Sequence, residues 1–251
     1  SITTVASVAN DQSASNGRSD SPSMSADGRY VAFASDATNL VSGDSNGVRD
    51  YFVRDTLLQT TTRVSVATDG TQQNMMGGCC FMSISSNGRY VAFVSDATNL
   101  VAGDTNNQRD VFVHDTCAGA PGGCTSSTIR VSVSSTGGQA GNGGDLTAWS
   151  QGSISADGRF VVFASFSPLV SNDTNNQNDT FIRDTCAGVM GCTPTTVRVS
   201  IGTTGAQGNN SSWPGVITPD GRFVAFGSDA TNLVSGDTNT RRDTFVGRTG
   251  F

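Results

Sequence analysis

The sequence predicts an all-β fold, a four-bladed β-propeller with four antiparallel strands per blade, and three observations predict it. One phrase is written four times: Ser25-Ala26-Asp27-Gly28-Arg29-Tyr30-Val31-Ala32-Phe33 returns beginning at Ser85, at Ser155 and at Thr218. Every acidic residue is Asp and every basic residue is Arg, so the good helix formers Glu and Lys are absent from all 251 residues. Gly, Ser, Thr and Asn abound, as expected of strands joined by turns. A repeat of this length is one supersecondary unit that cannot bury its own faces and is stacked against copies of itself.

Each strand follows from its residues. Strand one is short and alternating, Pro22–Ser25 with copies at Phe81–Ile84, Gly152–Ser155 and Gly215–Thr218. The Asp-Gly or Asn-Gly that follows is a strong hairpin signal. Strand two, Tyr30–Ser35 and its copies, is apolar almost without alternation, which marks a strand covered on both faces. A polar loop leads to strand three, Tyr51–Arg54, with copies Val111–His114, Thr180–Arg183 and Thr244–Gly247. Strand four is expected over Thr62–Val66, Ile129–Val133 and Val197–Ile201. Four antiparallel strands in a meander make a propeller blade.

The repeats run from end to end, so residues 1–251 read as one domain with blades at about 10–66, 67–133, 134–201 and 202–251. The last copy stops after strand three, while Thr3-Thr4-Val5-Ala6-Ser7-Val8 matches strand four of the others. Residues 3–8 are therefore expected to complete the last blade and close a monomeric ring, removing an open sheet edge. The alternative is a strand swapped into a neighbouring molecule, which gives a dimer or a filament.

A net charge of −6 argues against a nucleic-acid partner. No apolar run is long enough to span a bilayer as a helix, and no charged-then-apolar leader opens the sequence. Cys117 and Cys124 bracket one loop, and Cys186 and Cys192 bracket the equivalent loop of the next repeat. Two local disulfides in a secreted or periplasmic protein are the expected reading, with a zinc site as the weaker one. Cys79-Cys80 leaves three readings: a vicinal disulfide, free thiols or a bond to another chain.

The candidate chemistry lies in the loop after strand two, which ends four times in Asp-x-Asn-x-x-x-Asp. The residues are Asp44, Asn46 and Asp50; Asp104, Asn106 and Asp110; Asp173, Asn175 and Asp179; and Asp237, Asn239 and Asp243. Hard oxygen ligands at this spacing suit a structural calcium ion in each blade, although the bidentate glutamate of an EF-hand is missing. The alternative is an Asx-turn network that pins the loop. The blade connections vary most and carry Trp149 and Trp213, which either form a platform for a sugar or protein partner or plug the seams. His114 is the single histidine, but it stands where Arg54 and Arg183 stand in other copies, so drift of the repeat explains it better than catalysis. Arg54-Asp55 and Arg183-Asp184 are expected to form ion pairs or turn contacts between blades.

Ser-x-Asp-Gly-Arg-Tyr-Val-Ala-Phe-x-Ser, followed by Arg-Asp at the end of strand three, resembles the TolB-type, WD-like propeller repeat of bacterial exported proteins. The resemblance covers nearly the whole sequence and implies the fold, while its members range from interaction scaffolds to domains attached to peptidases and lyases. This sequence differs in having fewer blades than is usual in that group. The functional expectation is a secreted, non-catalytic binding or assembly scaffold with a protein or glycan partner. A carbohydrate-binding lectin is the alternative. A hydrolase or lyase ranks lower, because the sequence lacks Glu and Lys and no serine is singled out for a triad with His114.

Overall fold

The computed structural model describes residues 2–76, 82–141 and 153–251, and among them every regular element is a β-strand. Cys79, Cys80 and Trp149 lie outside the described residues. The chain divides into two compact units, Ser1–Asn107 with Phe112–Ile129, and Gln108–Val111 with Arg130–Phe251.

In the first unit β1 (Ser19–Met24), β2 (Tyr30–Ser35), β3 (Asp50–Asp55) and β4 (Thr60–Arg63) form one sheet in that order. A second sheet runs β5 (Met82–Ile84), β6 (Tyr90–Ser95), β7 (Asp110–Asp115) and β8 (Ser127–Arg130), with the boundary between units falling inside β7 and β8. In the second unit β9 (Ser153–Ile154), β10 (Phe160–Ser165), β11 (Asp179–Asp184) and β12 (Thr195–Arg198) form a third sheet. The fourth has three strands, β13 (Ser212–Ile217), β14 (Phe223–Ser228) and β15 (Asp243–Arg248).

The repeated phrase builds the turn between the first two strands of each sheet. Ser25 N–H donates to the Tyr30 carbonyl at 2.9 Å and Gly28 N–H to the Ser25 carbonyl at 3.0 Å. Asp27 accepts from the Ser25 hydroxyl at 2.6 Å and from Arg29 N–H at 3.0 Å. The glycine of this turn serves twice. Gly88 has φ +75°, and a Cβ placed on it would stand 2.0 Å from a ring carbon of Tyr30 in the preceding sheet. Gly221 repeats the arrangement with Phe160, at 2.3 Å. A side chain would therefore strain the turn and push the sheets apart.

The seam behind that contact is apolar. In the first unit Tyr30, Ala32, Tyr51 and Val53 pack on Met82, Ile84, Val91 and Phe93, with the Tyr51 and Phe93 rings 5.2 Å apart. In the second unit Phe160, Val162 and Ile182 pack on Ile217, Val224 and Phe226. β6 and β11, the central strands of the second and third sheets, are buried at every residue.

Two strand expectations need correction. Strand four starts and ends earlier than Thr62–Val66: β4 stops at Arg63, β8 at Arg130 and β12 at Arg198. The reason is the serine two residues on. The Ser65 hydroxyl, rather than a backbone carbonyl, accepts from Tyr51 N–H at 3.0 Å, so the chain leaves the ladder there. Ser132 and Ser200 do the same for Val111 and Thr180. Residues 3–8, expected as the fourth strand beside β15, form no strand, and their one bridge joins Val8 to Ala14. The repeat pattern marks these residues as a strand-four type but does not decide which edge they reach.

Phe93 is fully buried in the seam, so Phe93→Ala is expected to cost about 3–5 kcal/mol in urea denaturation. Val246→Ala, on an exposed position of β15, is expected to change stability by no more than about 0.5 kcal/mol.

Candidate functional site

The acidic loops converge on a buried carboxylate at the start of strand three. Asp50 accepts from the Ser65 hydroxyl at 2.6 Å, the Asn46 amide at 3.0 Å and the Gln73 amide at 3.0 Å. Arg63, the last residue of β4, stands between Asp44 at 3.0 Å and Asp50 at 3.5 Å. Burial raises the Asp44 and Asp50 carboxyls above the usual carboxylate range, and Arg63 opposes the rise at both.

The third copy repeats this geometry. Arg198 reaches Asp173 and Asp179, each at 3.3 Å, while Ser200 and Asn175 donate to Asp179. Asp173 is pushed up to about 6, first by burial and then by the neighbouring Asp179 charge. In the second copy Arg130 pairs with Asp110 at 3.2 Å and the Ser132 hydroxyl donates to Asp110, and Asp104 and Asn106 lie half-buried in the same loop. A guanidinium thus supplies the positive charge that these carboxylates require. The arginine, serine and glutamine that complete the site come from strand four and the connection after it. Reasoning from the loop alone missed them, although Arg-Val-Ser recurs at Arg63, Arg130 and Arg198 and was the available signal.

The fourth copy departs from this pattern. Asn239 donates to Asp243 at 2.9 Å as in the first and third loops, but no arginine reaches Asp237, whose two oxygens are shielded from solvent without a hydrogen-bond partner. Its sheet has no fourth strand to carry the arginine.

A second set of ion pairs lies at the opposite end of the sheets. The repeated Arg of the turn meets the Asp that ends strand three: Arg29–Asp55 at 2.7 Å, Arg89–Asp115 at 2.7 Å and Arg159–Asp184 at 2.5 Å. Each guanidinium also lies over the following aromatic ring, Tyr30, Tyr90 or Phe160, at 4.7–4.9 Å. Asp55 and Asp184 are therefore paired within their own sheets rather than between sheets, as the sequence had suggested. Arg54 and Arg183 donate to Thr61 and Thr196 on strand four and also reach the connection that precedes their sheet, at Gln12 Oε1 (2.8 Å) and the Ser134 carbonyl (3.0 Å), as the expected contacts between repeats. Beside these pairs Cys117–Cys124 and Cys186–Cys192 close the two longer loops as disulfides. These bonds fit an oxidising compartment.

His114 follows the arginines it replaces: its Nδ1 is 2.8 Å from the Thr128 hydroxyl, and the ring is buried. Trp213 lies on β13 with the Arg242 guanidinium 3.7 Å from the ring centroid, and Arg242 also pairs with Asp229 at 2.9 Å. One face of the indole is thus already covered. A cleft of about 260 Å³ beside Arg29 and Asp55 is lined by Tyr30, Leu58 and Thr62, none of which forms a nucleophile–base pair.

Burial lowers the His114 pKa to about 4, so the folded protein holds the ring neutral. Because this value lies below that of the unfolded chain, the contribution is present above about pH 6.5 and is lost as pH falls. Stability is expected to decline by about 3 kcal/mol between pH 6.5 and pH 4 through this group. Denaturant titrations of His114→Asn across that range should show a correspondingly shallower decline.

No family model matches the chain, and no curated protein matches it. Among solved structures it is similar to TolB from Acinetobacter baumannii, at 14% identity and a TM-score of 0.49, over 94% of this chain and 42% of that one. A putative TolB from Agrobacterium tumefaciens gives 14% identity and a TM-score of 0.44, over 93% and 59%. A prolyl endopeptidase structure gives 11% identity and a TM-score of 0.46, over 94% and 28%. The chain spans less than two thirds of the length of each of these proteins.

Proposed function

We propose that the chain is a secreted, non-catalytic repeat scaffold built from propeller-type blades, and that its partner is a protein. One observation carries this reading. Val246 of β15 is 72% exposed and Phe223 of β14 is 39% exposed, whereas their equivalents Val53 and Tyr30 in the first sheet, and Ile182 and Phe160 in the third, are buried. Val216 extends the same patch, and a contiguous apolar face left open to water is a surface for association. The two disulfides support export.

Glycan binding is the second reading, and Trp213 is its candidate platform. The Arg242 guanidinium lying against that ring favours protein over sugar, because stacking would require its displacement. On a glycan array the chain is expected to bind nothing, and a panel of chromogenic esters, glycosides and peptide anilides should show no turnover. A sugar signal lost in Trp213→Ala would replace the scaffold with a lectin, and turnover would replace it with an enzyme.

Calcium, expected once per blade, fits the fourth loop best. Arginine stands among the carboxylates of the first and third loops, whereas Asp237 has none. Asp237, Asn239 and Asp243 would hold the ion by oxygen atoms, and its role would be structural. Added calcium is expected to raise the melting temperature by a few degrees, and Asp237→Asn should abolish the shift. An unchanged melting temperature would remove calcium from the account.

A further inference from the structure

Two seams, one inside each compact unit, are built from the same parts. Arg29 pairs with Asp55 and lies over the Tyr30 ring, as Arg159 pairs with Asp184 and lies over the Phe160 ring. Tyr30 packs on Gly88 and Phe160 on Gly221. The exits from strand three also correspond. Thr116 N–H donates to the Arg89 carbonyl at 2.9 Å, and Thr249 N–H to the Arg222 carbonyl at 3.1 Å. The following residue has positive φ in both, +60° at Cys117 and +84° at Gly250. The residue after that therefore arrives at the same place, Ala118 in the first unit and Phe251 in the second.

The two places are filled differently. In the second unit the Phe251 ring lies on the Phe160 ring, with centroids 5.1 Å and planes 36° apart. Thr195 and Val197 of β12 are half-buried there. In the first unit Ala118 brings only a methyl group, and the cleft of about 260 Å³ takes the place of the ring. Thr60 and Thr62, which correspond to Thr195 and Val197, are exposed, and Leu58 forms a wall that is 63% exposed. A cavity of about 150 Å³ is enough to hold benzene.

The second unit thus shows which chemistry this place accepts: a ring tilted on the aromatic residue that begins strand two. The rim of the cleft is polar. Arg29 spends Nε and Nη2 on Asp55 and makes no hydrogen bond from Nη1 among the described residues. Thr60 and Thr62 add two hydroxyls. Apolar walls with a few polar groups at the mouth are the lining of a ligand site.

We propose that the cleft beside Tyr30 binds an aromatic side chain, phenylalanine or tyrosine, of a partner's peptide segment. The ring takes the position that Phe251 takes in the second unit, and the amide groups of the segment meet the threonine and arginine rim. That the ligand is a peptide rests on the scaffold reading. That it carries an aromatic ring rests on Phe251. A tilted pair of rings gains more than its buried area alone, which sets the ring apart from an aliphatic side chain of similar size.

The probes are N-acetyl-phenylalanine amide and N-acetyl-leucine amide, with the methyl groups of Leu58 and Val197 followed by NMR. The phenylalanine probe is expected to shift Leu58 with a dissociation constant on the order of 1 mM and to leave Val197 unmoved. The leucine probe should bind about fivefold more weakly. Ala118→Phe places a ring in the cleft and should abolish the Leu58 shift without moving Val197. Phe251→Ala should add a second site, read at Val197, and this gain cannot come from a chain that fails to fold. An unmoved Leu58 at about 10 mM probe would overturn the proposal. So would undiminished binding in Ala118→Phe, no second site in Phe251→Ala, or equal binding of the leucine probe. Benzyl alcohol binding as tightly as the phenylalanine probe would assign the cleft to free aromatic molecules and overturn the peptide. A sugar signal or turnover would instead remove the scaffold reading and leave the ring site standing.

Discussion

A buried carboxylate at the start of strand three is the point on which each of the first three sheets depends. Asp50 and its copies Asp110 and Asp179 are removed from water and would be costly to ionise there without partners. The chain brings those partners from three separate segments. The preceding loop contributes Asn46, the end of strand four contributes Arg63 and Ser65, and the connection to the next sheet contributes Gln73. One anion thereby fixes the loop, bends strand four out of the ladder and aims the chain at its next sheet. A buried ion pair is weak evidence for stability, but it specifies one arrangement because every other leaves a charge unpaired.

The second constraint is that these sheets have no outside. Strands two and three are apolar on both faces, so each sheet needs a neighbour on either side. The turn glycine makes the approach close enough, and the ring of Tyr30 or Phe160 fills the space that a side chain would take. Stacking of this kind has no intrinsic end. The last sheet still presents to solvent the face that the first and third sheets bury.

The variation among copies carries the functional information. Three acidic loops are neutralised by arginines, and the fourth leaves Asp237 without one. Two of the strand-three-to-four loops are longer and closed by disulfides. His114 keeps the bond to a strand-four threonine that Arg54 and Arg183 make, which explains its position without recourse to chemistry.

Much of the fold was legible in the residues. The fourfold phrase, the Asp-Gly turns and the unbroken apolar runs located strands one to three and both disulfide loops, because these depend on local backbone preference and on burial within a few residues. The acidic site was legible only in half. Its Asp and Asn lie in one loop, but Arg63, Ser65 and Gln73 lie 19 to 29 residues from Asp44, and their approach is decided by how strand four pairs and where it bends. The partner of Asp55 was misjudged for the same reason, since Arg29 reaches it across a strand pair rather than along the chain. By itself, then, the sequence determined that residues 3–8 repeat the strand-four pattern, because alternation and repeat phase are properties of the chain. Only the tertiary structure decided that they form no strand, because pairing depends on where an edge stands in space.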